Sequence, residues 1–207
     1  MRKTLLRLFA VLLALGLLTS GYGVYRYQQF TRQPLAVPAE GYHLLVPPGA
    51  SLGAVARRLG EAKVLAEPYL LRIMARLDGS AAQIKAGEYQ LPPGTTPRRL
   101  LQILVNGEVV QHSLTIVEGW TFQQLLQAVR SHPMLTQTLA DADPQAVMEA
   151  LAEPGTHPEG WFYPDTYRFP RGTSDVEFLR RAYRVMQQRL AAEWEKRAEG
   201  LPLKSPY

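Results

Sequence analysis

The sequence predicts an α+β fold carried behind an apolar N-terminal helix. Three observations lead there: an uncharged run near the start, a strand–turn–helix phrase that recurs along the chain, and apolar residues at helical spacing between the recurrences. With 207 residues, 46% of them hydrophobic, the chain is long enough to bury a real core in one large or two small domains.

Leu8 to Tyr25 are 18 consecutive uncharged residues, close to the ~20 that a helix needs to cross the hydrocarbon core of a bilayer. Arg2, Lys3 and Arg7 precede the run and place the N-terminus in the cytoplasm by the positive-inside rule. Tyr22, Tyr25 and Tyr27 stand where an interfacial aromatic belt belongs. A cleaved signal peptide is the competing reading. The block is longer than a usual signal core and the cleavage pattern around Leu18, Thr19 and Ser20 is poor, which favours a retained single-pass membrane anchor over residues 1–27. Residues 28–41 contain Pro34 and Pro38 and show no periodicity, so they read as a linker.

Residues 42–116 read as one small α+β subdomain. Tyr42 to Val46 form a strand stopped by Pro47-Pro48-Gly49, and Ser51 caps a helix carrying Leu52, Val55 and Leu59. A second helix starts at Pro68 with Leu70, Leu71, Met74 and Leu77 on its apolar face. The opening phrase then recurs. Ala86 to Leu91 form a strand, Pro92-Pro93-Gly94 stop it, and Thr96 caps a helix with Pro97 at its first position and Leu100, Leu101 and Leu104 behind. A weaker third copy begins at Thr115, with Thr121 and Gln124 spaced as a capping box.

Beyond it the pattern predicts helices over 122–129, 135–140 and 144–151, the last capped by Asp143. A long helix follows from Asp175 to about Ala198, opened by a Ser174/Glu177 capping box and carrying Val176, Leu179, Tyr183, Met186, Leu190 and Trp194 in one stripe. Gly200 stops it, and a tail with two prolines closes the sequence.

Composition excludes several chemistries. There is no cysteine, hence no disulfide, thiolate metal site, cysteine nucleophile or lipoprotein acylation site. His43, His112, His132 and His157 lack metal-ligand spacing, and no metal or cofactor is expected. The net charge of +5 is spread over arginine pairs such as Arg57-Arg58, Arg98-Arg99 and Arg180-Arg181, which reads as solvated helix faces and not as a nucleic-acid surface.

The densest chemistry lies between His157 and Pro170. These 14 residues hold Glu159 and Asp165, five aromatic rings, three prolines and Gly160. Prolines at this density cannot continue a helix or a central strand, so the stretch is a shaped loop. Carboxylates beside flat rings suit a sugar, whose apolar faces stack on the rings and whose hydroxyls bond the carboxylates. The other reading is that the rings pack the loop onto a core while Glu159 and Asp165 cap backbone.

The phrases Lys85-Ala86-Gly87-Glu88-Tyr89, Val117-Glu118-Gly119-Trp120-Thr121 and Glu159-Gly160-Trp161-Phe162-Tyr163-Pro164-Asp165-Thr166-Tyr167, in this order behind the apolar helix, resemble the endolytic murein transglycosylases, the MltG or YceG-like family. The resemblance implies a single-pass protein of the bacterial inner membrane that cuts nascent peptidoglycan glycan strands, with peptidoglycan synthases as companions. The bond broken is the β-1,4 link after N-acetylmuramic acid. Its C6 hydroxyl attacks C1 to leave a 1,6-anhydro end, and one glutamic acid serves as acid and base. Residues 42–116 then correspond to a LysM-like glycan-binding module, and 117–207 to the first part of a YceG-like catalytic domain. Glu159, Trp161, Asp165, Tyr167, Glu118 and Trp120 become the substrate-binding candidates. The family's catalytic glutamate sits in an Ala-Ser-Ile-Val-Glu-Lys-Glu-like helix after a Gly-Leu-Pro segment, which Gly200-Leu201-Pro202 matches. That helix is therefore expected beyond Tyr207, leaving the chain inactive as written, with Glu159 and Glu118 as the substitute carboxylates. A non-catalytic, membrane-anchored peptidoglycan-binding scaffold is the alternative.

Overall fold

A computed structural model describes residues 2–198, 200, 202 and 205–207, with the side chains of 2–8, 10 and 11 outside the description. The chain divides into two compact units, Met1–Val109 and Val110–Tyr207.

In the first unit, α1 (Arg2–Arg32) leads into β1 (Tyr42–Val46), α2 (Leu52–Glu61), α3 (Pro68–Leu77), β2 (Gly87–Leu91) and α4 (Pro97–Asn106). β1 and β2 pair antiparallel, from Tyr42 opposite Leu91 to Val46 opposite Gly87. Their period-two alternation turns Leu44, Val46, Tyr89 and Leu91 inward, where they meet Leu59, Leu71, Met74, Leu100 and Leu104. The expected caps form: Ser51 accepts from Ala54 N–H and Thr96 from Arg99 N–H. Leu77, predicted on the apolar face of α3, is instead exposed.

α1 covers the predicted membrane span but continues past it to Arg32. Among the described residues no helix is long and apolar enough to cross a membrane. The side chains of Arg2, Lys3 and Arg7, on which the predicted orientation rests, lie outside the described residues. The stretch read as a free linker is also ordered differently. Phe30 and Leu35 are buried in the first core, Leu35 N–H donates to Thr95 O (2.8 Å) and Ala36 N–H to Val64 O (2.9 Å). Two apolar side chains each gain ~1.5–3 kcal/mol by burial, enough to hold the segment down.

The second unit runs β3 (Gln111–Thr115), α5 (Phe122–Ser131), α6 (Pro144–Ala150), β4 (Thr166–Pro170) and α7 (Asp175–Glu195). β3 pairs antiparallel with β4, from Gln111 opposite Pro170 to Thr115 opposite Thr166. The structural division thus falls ahead of β3, not after residue 116. The last five residues of the aromatic loop are strand, tolerated because the sheet has two strands and Pro170 ends one of them. Both predicted capping boxes are present, at Thr121/Gln124 and Ser174/Glu177.

No helix forms over 135–140. There Asp175, 1% exposed, takes the backbone: its carboxylate accepts from Thr138 N–H (2.9 Å), Leu139 N–H (2.7 Å), Val176 N–H (2.8 Å) and the Thr138 hydroxyl. Thr136 bridges Ser174 beside it. These bonds satisfy donors that a helical turn would have used. Replacing Asp175 strands several buried N–H groups at once. Asp175→Ala is expected to lose ~2–4 kcal/mol of stability, read by urea unfolding, with Asp175→Asn recovering part of it.

Candidate functional site

The aromatic loop is fastened to the start of α5. Helix N-termini leave backbone N–H groups without intrahelical partners. Thr121 Oγ1 accepts from Gln124 N–H (3.3 Å) and Gln124 Oε1 from Thr121 N–H (2.8 Å). The next free donor, Phe122 N–H, goes to Glu159 Oε2 at 2.9 Å. A carboxylate here also meets the positive end of the helix dipole. On the apolar side the Phe122 ring stacks on Phe162, centroids 5.3 Å apart.

The fastening leaves a two-part cleft in the second unit. A cavity of about 260 Å³ is walled by Val117, Trp120, Pro158, Glu159, Phe162 and Met186. A second of about 420 Å³ shares Thr121, Phe122, Pro158 and Glu159 with it and adds Gln123, Asp143, Gln145 and His157. An aromatic wall thus runs into a patch of amide, carboxylate and imidazole groups. Part of that polarity is already committed: Asp143 Oδ1 caps α6 through Ala146 N–H (2.8 Å), and His157 Nδ1 accepts from Glu159 N–H (3.4 Å). Among the described residues no His, Asp and Glu grouping could hold a metal ion.

The six sequence candidates separate. Glu159 and Trp120 line the same cavity. Trp161 is half-buried, tilted against Tyr207 (4.2 Å) and Tyr183 (5.5 Å). The Tyr207 hydroxyl donates to Glu159 O (2.8 Å), and Gly160, at φ +79, leaves the room it needs because a Cβ there would fall on that hydroxyl. Glu118 is exposed in the turn before α5 and lines neither cavity. Asp165 is exposed too; its Oδ1 accepts from Thr166 N–H (2.7 Å) and its carbonyl from Ile116 N–H (3.0 Å), so it joins β3 to β4. Tyr167 is a core residue, 4% exposed, edge-on to Phe178, with its hydroxyl donating to Tyr163 O (2.7 Å). Pro158, Phe162 and Met186 complete the wall without having been singled out, and Met186 stood in the sequence only as one member of an apolar helix stripe.

The model of the YceG-like family matches residues 44–207, and the chain belongs to that family. No curated protein matches it. Among solved structures it is similar to the 2.6 Å crystal structure of a YceG-like protein from Listeria monocytogenes, at 20% identity and a TM-score of 0.38. The likeness covers 77% of this chain and 58% of that one, so the chain spans just over half the length of that relative.

Burial, and then the nearby Asp165 carboxylate, push the Tyr167 hydroxyl from 10.0 up to about 12, against a smaller opposing pull from Arg181. Between those values the folded chain holds a proton that the unfolded chain has released. The stabilisation is therefore complete below the unfolded value and drains away as pH rises toward the folded one. Tyr89 and Tyr183 shift the same way, so the informative quantity is a difference. Urea unfolding at about pH 9 and about pH 11 should show the wild type losing more stability over that step than Tyr167→Phe.

Proposed function

We propose that this chain is the anchor and glycan-gripping part of an endolytic peptidoglycan lytic transglycosylase. Family membership over residues 44–207 supports a peptidoglycan-related role. The observation that carries the finer reading is the cleft beside α5, where Trp120 and the Glu159 carboxylate face one cavity with an amide-rich extension. A sugar ring presents apolar faces to an aromatic wall and hydroxyls to amides and carboxylates. The antiparallel β1–β2 pair with two helices between its strands supports a LysM-like, glycan-binding role for the first unit.

In the reaction this reading assigns, the C6 hydroxyl of N-acetylmuramic acid attacks C1 of its own ring. The glycosidic oxygen leaves with a proton from a carboxylic acid, the C6 hydroxyl gives its proton to the carboxylate, and a 1,6-anhydro end remains. Glu159 is assigned to positioning because its carboxylate already accepts from Phe122 N–H. Glu118, outside both cavities, is assigned no proton transfer either. The test combines retention on purified glycan strands with mass spectrometry for anhydro ends. The full chain should be retained, Trp120→Ala should weaken retention about tenfold, the scale of one stacking contact, and Glu159→Gln should leave any anhydro product unchanged. Loss of product in Glu159→Gln with retention intact would make Glu159 the acid, and absence of both retention and product would remove the glycan reading. Retention of the full chain without anhydro ends fits the gripping role and a non-catalytic scaffold alike, and anhydro product from the full chain would exclude the scaffold.

The same reading places the Leu8–Tyr25 stretch of α1 in the bacterial cell membrane, with the N-terminus in the cytoplasm and the chain from Arg26 onward outside it. Phe9, Leu12, Leu13, Leu15, Leu17 and Leu18 are all exposed, from 53% at Leu13 to 71% at Leu18, on every side of the helix. A helical stretch that carries apolar side chains on every side has no stable place in water. Alkaline carbonate extraction of membranes should leave the full chain in the pellet; release into the supernatant would sink this placement.

A further inference from the structure

The second unit carries another groove, of about 380 Å³, between β4 and α7, and its chemistry differs from the cleft. Arg168, Arg180, Arg181 and Arg184 line it, with Glu177 as the one acidic residue. Helix geometry explains the crowding. Residues 177, 180, 181 and 184 follow the three- and four-residue spacing that shares one helix face, and β4 delivers Arg168 to the same face. Like charges at this spacing repel, and the expected remedy is an acid salt-bridged among them. None of the four arginines forms an ion pair among the described residues. Glu177 does not supply one, because its carboxylate accepts from Ser174 N–H (3.2 Å) in the α7 capping box.

Two of the guanidiniums are held in place by backbone. Arg181 donates to Arg168 O (2.8 Å) and lies 5.9 Å from the centre of the Tyr167 ring; Arg180 donates to Ala150 O (2.8 Å). A guanidinium has five N–H donors in a fixed fork, so each keeps several free for a ligand. Arg168 and Arg184 use none of their side-chain donors on protein among the described residues. The groove is thus a preformed set of positive forks over a floor of buried rings, and it is unbalanced in charge.

We infer that this groove is a binding site for a diphosphate group. Four guanidiniums against one committed carboxylate leave more positive charge than a single carboxylate ligand can neutralise. A phosphoryl group carries roughly −1.5 to −2 charges with three acceptor oxygens, and two linked groups approach the net positive charge that four arginines and one glutamate leave. Arginine forks meet phosphoryl oxygens in pairs, which lysine cannot do. The inference is independent of the glycan reading, since the cleft and this groove have no lining residue in common.

The experiment is isothermal titration of the full chain with inorganic diphosphate, orthophosphate and glutarate, at two salt concentrations. Arg168→Gln and Arg184→Gln are the informative variants because neither side chain props up the fold; Arg189→Gln, on α7 against Tyr163 and outside the groove, is the control. Diphosphate should bind best, weaken as salt rises, and lose about tenfold in affinity for each of the two groove variants, with the control unchanged. Two further arms distinguish the source of the group. A nucleoside diphosphate tests a soluble ligand, and vesicles bearing a lipid diphosphate, against vesicles without it, test a membrane one; either positive arm supports the site. No heat with diphosphate, equal binding by the double variant, or glutarate binding as tightly as diphosphate would overturn it.

Discussion

The Glu159 carboxylate on Phe122 N–H is the contact on which the candidate cleft depends. It joins a proline-rich loop, which has few backbone donors of its own, to a helix end with donors to spare. Phe122 is gripped twice, through its N–H by Glu159 and through its ring by Phe162. The polar bond fixes register and the ring stack fixes depth, so the aromatic wall at Trp120 and the loop at Pro158 keep a set spacing. A cleft that is already shaped loses less entropy when it takes a ligand than one that must first be assembled. Glu159 is thereby spent on architecture, which is why a carboxylate in the middle of the most suggestive motif is not automatically the acid.

Much of the fold was legible because its signals are local. Ser51, Thr96, Thr121, Asp143 and Ser174 each cap the helix that follows them, and a cap is decided by residues three positions apart. What escaped was decided by distant partners. Residues 135–140 carry a helix-like pattern, yet Asp175 takes their backbone from 36 or 37 positions away. β3 has little alternation to announce it, and its pairing partner lies within a stretch whose prolines argued against strand. Phe30 and Leu35 looked like linker residues because no local period includes them; they are buried by a core formed later in the chain.

The candidate site shows the same division at the level of single side chains. From composition, the rings of the aromatic loop could serve either ligand or core. The structure splits them: Tyr167 and Phe169 are core, Phe162 joins core to cavity wall, and Trp161 is half-buried against Tyr183 and Tyr207. Period two does the sorting once the end of the loop is known to be strand. Tyr167 and Phe169 point in, and Arg168 between them points out. The strand that the prolines concealed was the missing piece of information.

That same alternation changes what the positive charge means. In the sequence, Arg168 is an isolated residue and Arg180-Arg181 is one of several arginine pairs on helices, where the ordinary expectation is a solvated face. Pairing β4 with β3 presents Arg168 beside α7, and the capping box at Ser174 draws Glu177 back to the helix start. One long-range pairing and one local cap therefore turn scattered charge into a concentrated field, with the nearest acid held by backbone. Charges within a few ångströms act on a ligand collectively, while the same charges a Debye length apart are screened from one another. The difference between a soluble surface and an anion site here is one of arrangement, and the two grooves of the second unit have opposite characters although α7 contributes to both.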